Sequence, residues 1–105
     1  MNNNSEYKLK ELISVLFEHY QNGHYVYAEK KALLITHQFP KHPFAWKILF
    51  AIFKDTGRIS EAFSIGEKIL LLAPDDPEVH YNFGCLLNNV GRLDEAEVKY
   101  KKAIS

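Results

Sequence analysis

The sequence predicts an all-α chain in which one helix-turn-helix unit is written three times. Three observations carry this. Gly23, Gly57 and Gly91 stand 34 residues apart. Ala28, Ala62 and Ala96 each follow a glycine by five residues, and Pro40 and Pro74 keep the same 34-residue interval. Eight positions in one register mark an internal repeat, and such an array works through a continuous surface rather than a buried catalytic pocket.

The elements follow in order. Asn2, Asn3 and Asn4 form a short polar lead, so residues 1–5 are expected to fray. Ser5 is placed to cap a first helix running to about Asn22. Leu9, Leu12, Ile13, Leu16, Phe17 and Tyr20 recur at spacings of three and four, which marks one helical face. Gly23 ends this helix, because glycine accepts the left-handed backbone of a helix terminus. A second helix runs from about Tyr25 to His37, with Ala28, Ala32 and Ile35 inward, and Pro40 stops it.

Pro43 opens the third helix, where a missing N–H costs nothing, and Phe44 to Thr56 continue it. Gly57 closes it. Ser60 is expected to cap the fourth helix, which runs to about Leu72 and is closed by Pro74. Asp76-Pro77-Glu78 is a strong start signal for the fifth: a capping carboxylate, a proline, then an acid at the positive end of the helix dipole. Gly91 ends this helix after Val90. Asp94 with Glu97 reads as a capping box for a sixth helix that continues to Ser105. Six helices of about 12–17 residues result, and no segment has strand periodicity.

Composition narrows the function. Lys+Arg and Asp+Glu are both 13, so the net charge is zero. The balance holds within residues 1–42, 43–76 and 77–105, which leaves no basic stripe for nucleic acid or an anionic membrane. The longest apolar run, Ile48–Phe53, is too short to span a bilayer, and Met1–Ser14 lacks the apolar core of a signal peptide. Cys85 is the single cysteine, so no intrachain disulfide can form and a reducing, cytoplasmic setting is expected.

The unit resembles the tetratricopeptide repeat, a helix pair of 34 residues. The middle repeat carries Trp46, Leu49, Phe50, Phe53, Ala62, Gly66 and Pro74 at the family positions. The third carries His80, Phe83, Gly84, Leu87, Ala96 and Tyr100, and the first Leu12, Val15, Leu16, His19, Ala28, Ala32 and Pro40. Repeats at about 9–42, 43–76 and 77–105 place the whole chain in one domain. The departures from the family letters suggest a volume exchange: bulky Phe50 goes with Gly66, Gly84 with bulky Tyr100, and Leu16 with Ala32.

The resemblance implies a right-handed superhelical solenoid. The first helix of each pair would line a concave groove that holds a partner protein or peptide, without enzymatic activity or a cofactor. The expected groove residues are Lys10, Ile13, Phe17, Tyr20 and Gln21 on the first helix. Phe44, Lys47, Ala51, Lys54 and Asp55 follow on the third, and Glu78, Tyr81, Asn82, Cys85, Asn88 and Asn89 on the fifth. Aromatic rings would supply contact area and amides would bond a peptide backbone. Relatives that clamp a chaperone's terminal carboxylate use cationic and amide positions that here hold Ile13, Phe17, Ile48, Glu78 and Asn82, so such a clamp is not expected. The groove asparagine ladder of the repeats joined to sugar transferases keeps one rung, Asn82, with Ser14 and Ile48 at the others.

Catalytic and metal chemistry find little support. Five histidines are present, with His19 and His24 astride Gly23 and His37 and His42 flanking a proline turn. None belongs to a recognised metal spacing, and His19 and His80 fall at core positions, so no metal site is expected. Cys85 has no adjacent base and the glycines are isolated helix terminators, so neither a thiol nucleophile nor a phosphate loop is expected. Arrays of this kind commonly end in a polar capping helix. Here Leu86, Leu93 and Val98 are expected to lack cover, pointing to an accessory segment of a longer chain, such as a transferase, or to a homodimer stacked through the last repeat.

Overall fold

The structure, a computed structural model, describes residues 3–105, with side-chain surroundings from Glu6 onward. Six helices follow one another: α1 (Asn3–Gln21), α2 (Tyr25–Gln38), α3 (Pro43–Asp55), α4 (Ile59–Leu72), α5 (Pro77–Asn89) and α6 (Leu93–Ile104). No strand occurs among the described residues. Each odd helix packs on the even helix that follows it, and α2 on α3 and α4 on α5 join the pairs into a stack of 45 × 28 × 19 Å. This is the all-α solenoid of antiparallel helix pairs.

The three glycine turns are copies of one hydrogen-bonded motif. Gly23, Gly57 and Gly91 have φ of 76°, 77° and 82°, the left-handed region that a side chain disfavours. His24, Arg58 and Arg92 each donate their N–H five residues back, to the carbonyls of His19, Phe53 and Leu87 at 2.8–3.0 Å. The glycines donate three residues back, to Tyr20, Lys54 and Asn88. This paired pattern is a Schellman motif, which satisfies the last carbonyls of the helix. The residue after each glycine then accepts at its own carbonyl from Ala28, Ala62 or Ala96, the first bond of the next helix. One residue thus closes one helix and opens the next, which explains the fixed glycine-to-alanine spacing. The alanines are buried in all three repeats.

Three expected caps are corrected, two of them by that double role. Ser60 and Asp94 lie inside their helices, because Arg58 and Arg92 already hold the N-cap positions and make no side-chain cap bond. Ser5 lies within α1, which starts at Asn3 and at 19 residues exceeds the expected length. Asn3 and Asn4 are therefore helical, while Met1 and Asn2 lie outside the described residues. The other turn does use side-chain caps: Nδ1 of His42 accepts from the Phe44 N–H, and the Asp76 carboxylate accepts from the Glu78 N–H at 3.0 Å. Pro43 and Pro77 occupy the first turns that follow.

The core runs along the stack through Leu16, Ile35, Leu49, Ile52, Ile69, Leu86 and Leu87, all nearly water-free. Complete burial of each such side chain is worth about 1.5–3 kcal/mol. The proposed volume exchange has a physical basis. A Cβ on Gly66 would stand 2.6 Å from Phe83 and 3.0 Å from Phe50, and a Cβ on Gly84 would stand 2.8 Å from Tyr100. Each ring occupies the space that its paired glycine leaves.

Leu86 departs from expectation. It is fully buried between α5 and the rest of the core, whereas Leu93 and Val98 are exposed. Trp46 and His80, equivalent across the 34-residue period, also make equivalent bonds. Trp46 Nε1–H donates to the Pro40 carbonyl at 2.9 Å, and His80 Nε2 bonds the Pro74 carbonyl at 2.7 Å. The carbonyl can only accept, so Nε2 carries the proton. His80 Nδ1 is then a buried acceptor without a partner among the described residues.

Candidate functional site

Helix α1 lies against α3, while α3 and α5 approach each other less closely. Between them opens a cavity of about 390 Å³ on the face formed by the odd-numbered helices. Phe17 and Tyr20 reach it from α1, Phe44, Lys47, Ala51 and Lys54 from α3, and Glu78 and Asn82 from α5. Ile48, Phe50 and Val79 line it too, with Ile69 contributed by α4.

Local packing orients the rim. Phe17 meets Phe44 edge to face, with centroids 5.9 Å apart and the ring planes at 64°. That geometry suits aromatic quadrupoles and holds α1 against α3. Tyr20 stacks on Tyr25, and its hydroxyl donates to Asp55 at 3.4 Å. Burial, reinforced by the Asp55 carboxylate, pushes its phenol above the ordinary range. Lys47 is committed within the protein. Its ammonium lies 2.6 Å from Asp76, the cap of α5, and each side chain is one-quarter exposed. This hydrogen bond holds the Asp76 carboxyl below its usual range, against a smaller opposing effect of burial. Lys54 is half-buried at the cavity and makes no ion pair among the described residues.

The other sequence-predicted groove residues lie elsewhere. Lys10 lines a separate shallow recess with Tyr7, Glu11, Ser14 and Val15. Ile13 is half-buried, and neither it nor Gln21 nor Asp55 lines the cavity. Asn88 and Asn89 are exposed at the end of α5 and also lie off the cavity wall. Tyr81 and Cys85 are turned toward α6. The Tyr81 ring lies 5.8 Å from Tyr100, and the Cys85 thiol, chiefly as a hydrogen-bond partner, raises both phenols above their ordinary range. The reason lies in Gly84: without a side chain there, Tyr100 packs down on α5 and draws this stripe into the pair contact.

Four wall residues escaped the groove expectation: Ile48, Phe50, Ile69 and Val79. They belong to core stripes, and become wall only because α3 and α5 part. The sequence marks Ile48 as a clamp and ladder position and Phe50 as the partner of Gly66, but neither as groove wall.

Among the described residues no group of three or more His, Cys, Asp or Glu side chains could hold a metal ion. Nor, among the described residues, is any helix long and apolar enough to cross a membrane.

Comparison with known proteins now places this architecture. A family model described as tetratricopeptide repeat matches residues 66–98. No curated protein matches the chain by sequence. Among solved structures, the type III secretion chaperone SycD of Yersinia enterocolitica, in complex with a peptide of the translocator YopD, aligns with a TM-score of 0.88 at 24% identity. It covers 97% of this chain and 78% of that one. PcrH, in complex with the chaperone binding region of PopD, aligns at 0.86 and 21% identity over 93% and 74%. An O-GlcNAc transferase of Thermobaculum terrenum aligns at 0.90 and 20% identity, covering 99% of this chain but 20% of that one. At these identities the likeness shows a shared fold. Residues 66–98 match the tetratricopeptide repeat model, and the 34-residue period and the solenoid are similar to that repeat over the rest of the chain.

Proposed function

We propose that this protein is a protein-interaction module, without catalytic activity of its own, that binds an extended or helical segment of a partner in the cavity between α1, α3 and α5. The observation that carries this is the wall: aromatic Phe17 and Phe44, aliphatic Ile48 and Val79, and only a few polar groups, on a concave face. Ligand sites are typically concave and mostly apolar, with a few polar groups that set orientation. The partner would insert an apolar side chain, with its backbone against Asn82 and an acidic neighbour near Lys54. That SycD and PcrH hold peptides of YopD and PopD on the same fold supports the reading.

The zero net charge argues against nucleic acid as the ligand, and the single cysteine favours a cytoplasmic setting. Lys47 is a poor contact candidate despite lining the cavity, because recruiting it would break its bond to the α5 cap. Tyr81 and Cys85 face α6. The groove contacts proposed are therefore Phe17, Tyr20, Phe44, Ala51, Lys54 and Asn82.

A second reading is that these repeats present a polypeptide substrate within a larger enzyme. The transferase alignment, which spans nearly all of this chain, supports it. Both readings use the same cavity. The test is selection of peptides from a random displayed library against the wild-type chain, followed by affinity measurement on Ala51→Trp, which would plug the cavity, and on Phe44→Ala. Selected peptides should lose at least tenfold in affinity on both. Peptides that bind wild type and Ala51→Trp equally would place the binding surface elsewhere.

A further inference from the structure

The turn between α1 and α2 holds two imidazoles side by side, their planes tilted by 45°. His19 and His24 take the two positions that the Schellman motif brings together, joined by the 3.0 Å bond from the His24 N–H to the His19 carbonyl. Such motifs usually carry an apolar contact there. The equivalent pairs conform in part: the Arg58 guanidinium lies over the Phe53 ring at 4.3 Å in the second repeat, and Leu87 and Arg92 hold the positions in the third. In the first repeat the same backbone presents two nitrogen ligands. Their Nδ1 atoms stand 3.4 Å apart, with ring centroids separated by 5.6 Å. The His19 ring is held from the side by Tyr27, at 4.4 Å between centroids. The Lys31 ammonium lies over the Tyr27 ring.

The separation is informative. Imidazole nitrogens bind zinc at about 2.0–2.1 Å, so two ligands of one tetrahedral ion stand about 3.3–3.4 Å apart. We propose that His19 and His24 form a two-imidazole site for a borderline first-row divalent cation such as Zn²⁺ or Ni²⁺, completed by water and placed at the α1–α2 turn. Both ligands are neutral imidazoles binding through Nδ1. In the free protein one Nδ1 carries the proton of the shared hydrogen bond. On binding, that ring moves its proton to its own Nε2, so the neutral pair releases none. No third His, Cys, Asp or Glu joins them among the described residues, which makes the site open and modest in affinity. Imidazole suits Zn, Cu and Ni, whereas Mg²⁺ and Ca²⁺ prefer oxygen ligands. The site is separate from the groove: neither histidine lines the cavity.

The test uses the tag-free chain, since an affinity tag would add imidazoles. Zn²⁺ is titrated while the five histidine side chains are followed by long-range ¹H–¹⁵N NMR. The Nδ1 signals of His19 and His24 should move together, saturating at one ion per chain, while those of His37, His42 and His80 stay in place. His24→Gln changes an exposed ring whose cap function is carried by its backbone, so the fold should persist. It should weaken Zn²⁺ at least tenfold and abolish the rise in Tm that Zn²⁺ gives the wild type. The proposal is overturned if His24→Gln binds as wild type does, or if the ion moves other histidines instead. It is also overturned if Mg²⁺ at equal concentration produces the same shifts.

Discussion

Gly66→Ala tests whether ring packing, rather than helix propensity, governs the contact between the second and third repeats. In an exposed helix this change would stabilise by about 1 kcal/mol. Here the new Cβ would meet Phe83 Cε2 at 2.6 Å, Phe83 Cδ2 at 2.8 Å and Phe50 Cε1 at 3.0 Å. Ring atoms can yield when their surroundings allow it. Phe83 cannot move far: it is buried, with Phe63 at 5.5 Å, Phe50 at 6.3 Å and the Lys99 ammonium above it. Overpacking of this kind costs about 1–3 kcal/mol. Subtracting the propensity gain leaves about 0–2 kcal/mol, and a central loss of about 1 kcal/mol lowers Tm by roughly 4–8 °C in a domain near this size.

Gly84→Ala supplies the control. It gains the same propensity and meets Tyr100 at 2.8 Å, but Tyr100 is half-exposed on the last helix and can swing outward. Thermal and urea unfolding, followed by circular dichroism, should therefore rank Gly66→Ala below Gly84→Ala. In a Phe83→Leu background the Gly66 penalty should shrink by about 1 kcal/mol, the coupling that touching residues show. A Gly66→Ala protein at least as stable as wild type would refute the reasoning. So would a penalty unchanged when Phe83 is leucine.

Two further outcomes follow from the turns. Gly57→Ala meets no atom within 4 Å, so its cost is backbone strain alone at φ +77°, about 1–2 kcal/mol by urea unfolding; Gly57→Asn should lose less, because asparagine tolerates that region. Asp76→Asn keeps a capping side chain but removes the charge facing Lys47, and should cost about 1 kcal/mol or less at neutral pH. The folded-state carboxyl is held below its usual range, so its contribution is present above the ordinary carboxylate pKa and fades as pH falls through the depressed value. Stability curves of wild type and Asp76→Asn should therefore converge in acid, and a gap that persists below about pH 2 would exclude the ion pair as its source.

Much of this architecture was legible because it is written in local rules. A positive φ demands glycine wherever the Schellman turn recurs, and a proline suits a first turn in any context. The missed caps at Ser60 and Asp94 are instructive for the same reason. A capping side chain is needed only where the backbone leaves donors open, and at the glycine turns Arg58 and Arg92 serve two helices at once. The exchange of Phe50 against Gly66 could be read from composition across equivalent positions, since a core conserves volume.

The binding face was less legible, because membership of a wall depends on how far helices part. Periodicity places Phe17, Phe44, Lys54 and Asn82 on one side of their helices, and they do meet at one cavity. It could not show that Tyr100, dropping onto Gly84, turns Tyr81 and Cys85 toward α6. Nor could it show that Lys47 is taken by a carboxylate 29 residues away. Backbone punctuation is a property of a residue and its neighbours, so the helices, the turns and the repeat can be read along the chain. The concave wall and the apposed histidine nitrogens arise from side chains brought together across turns and helices, which no local rule foretells.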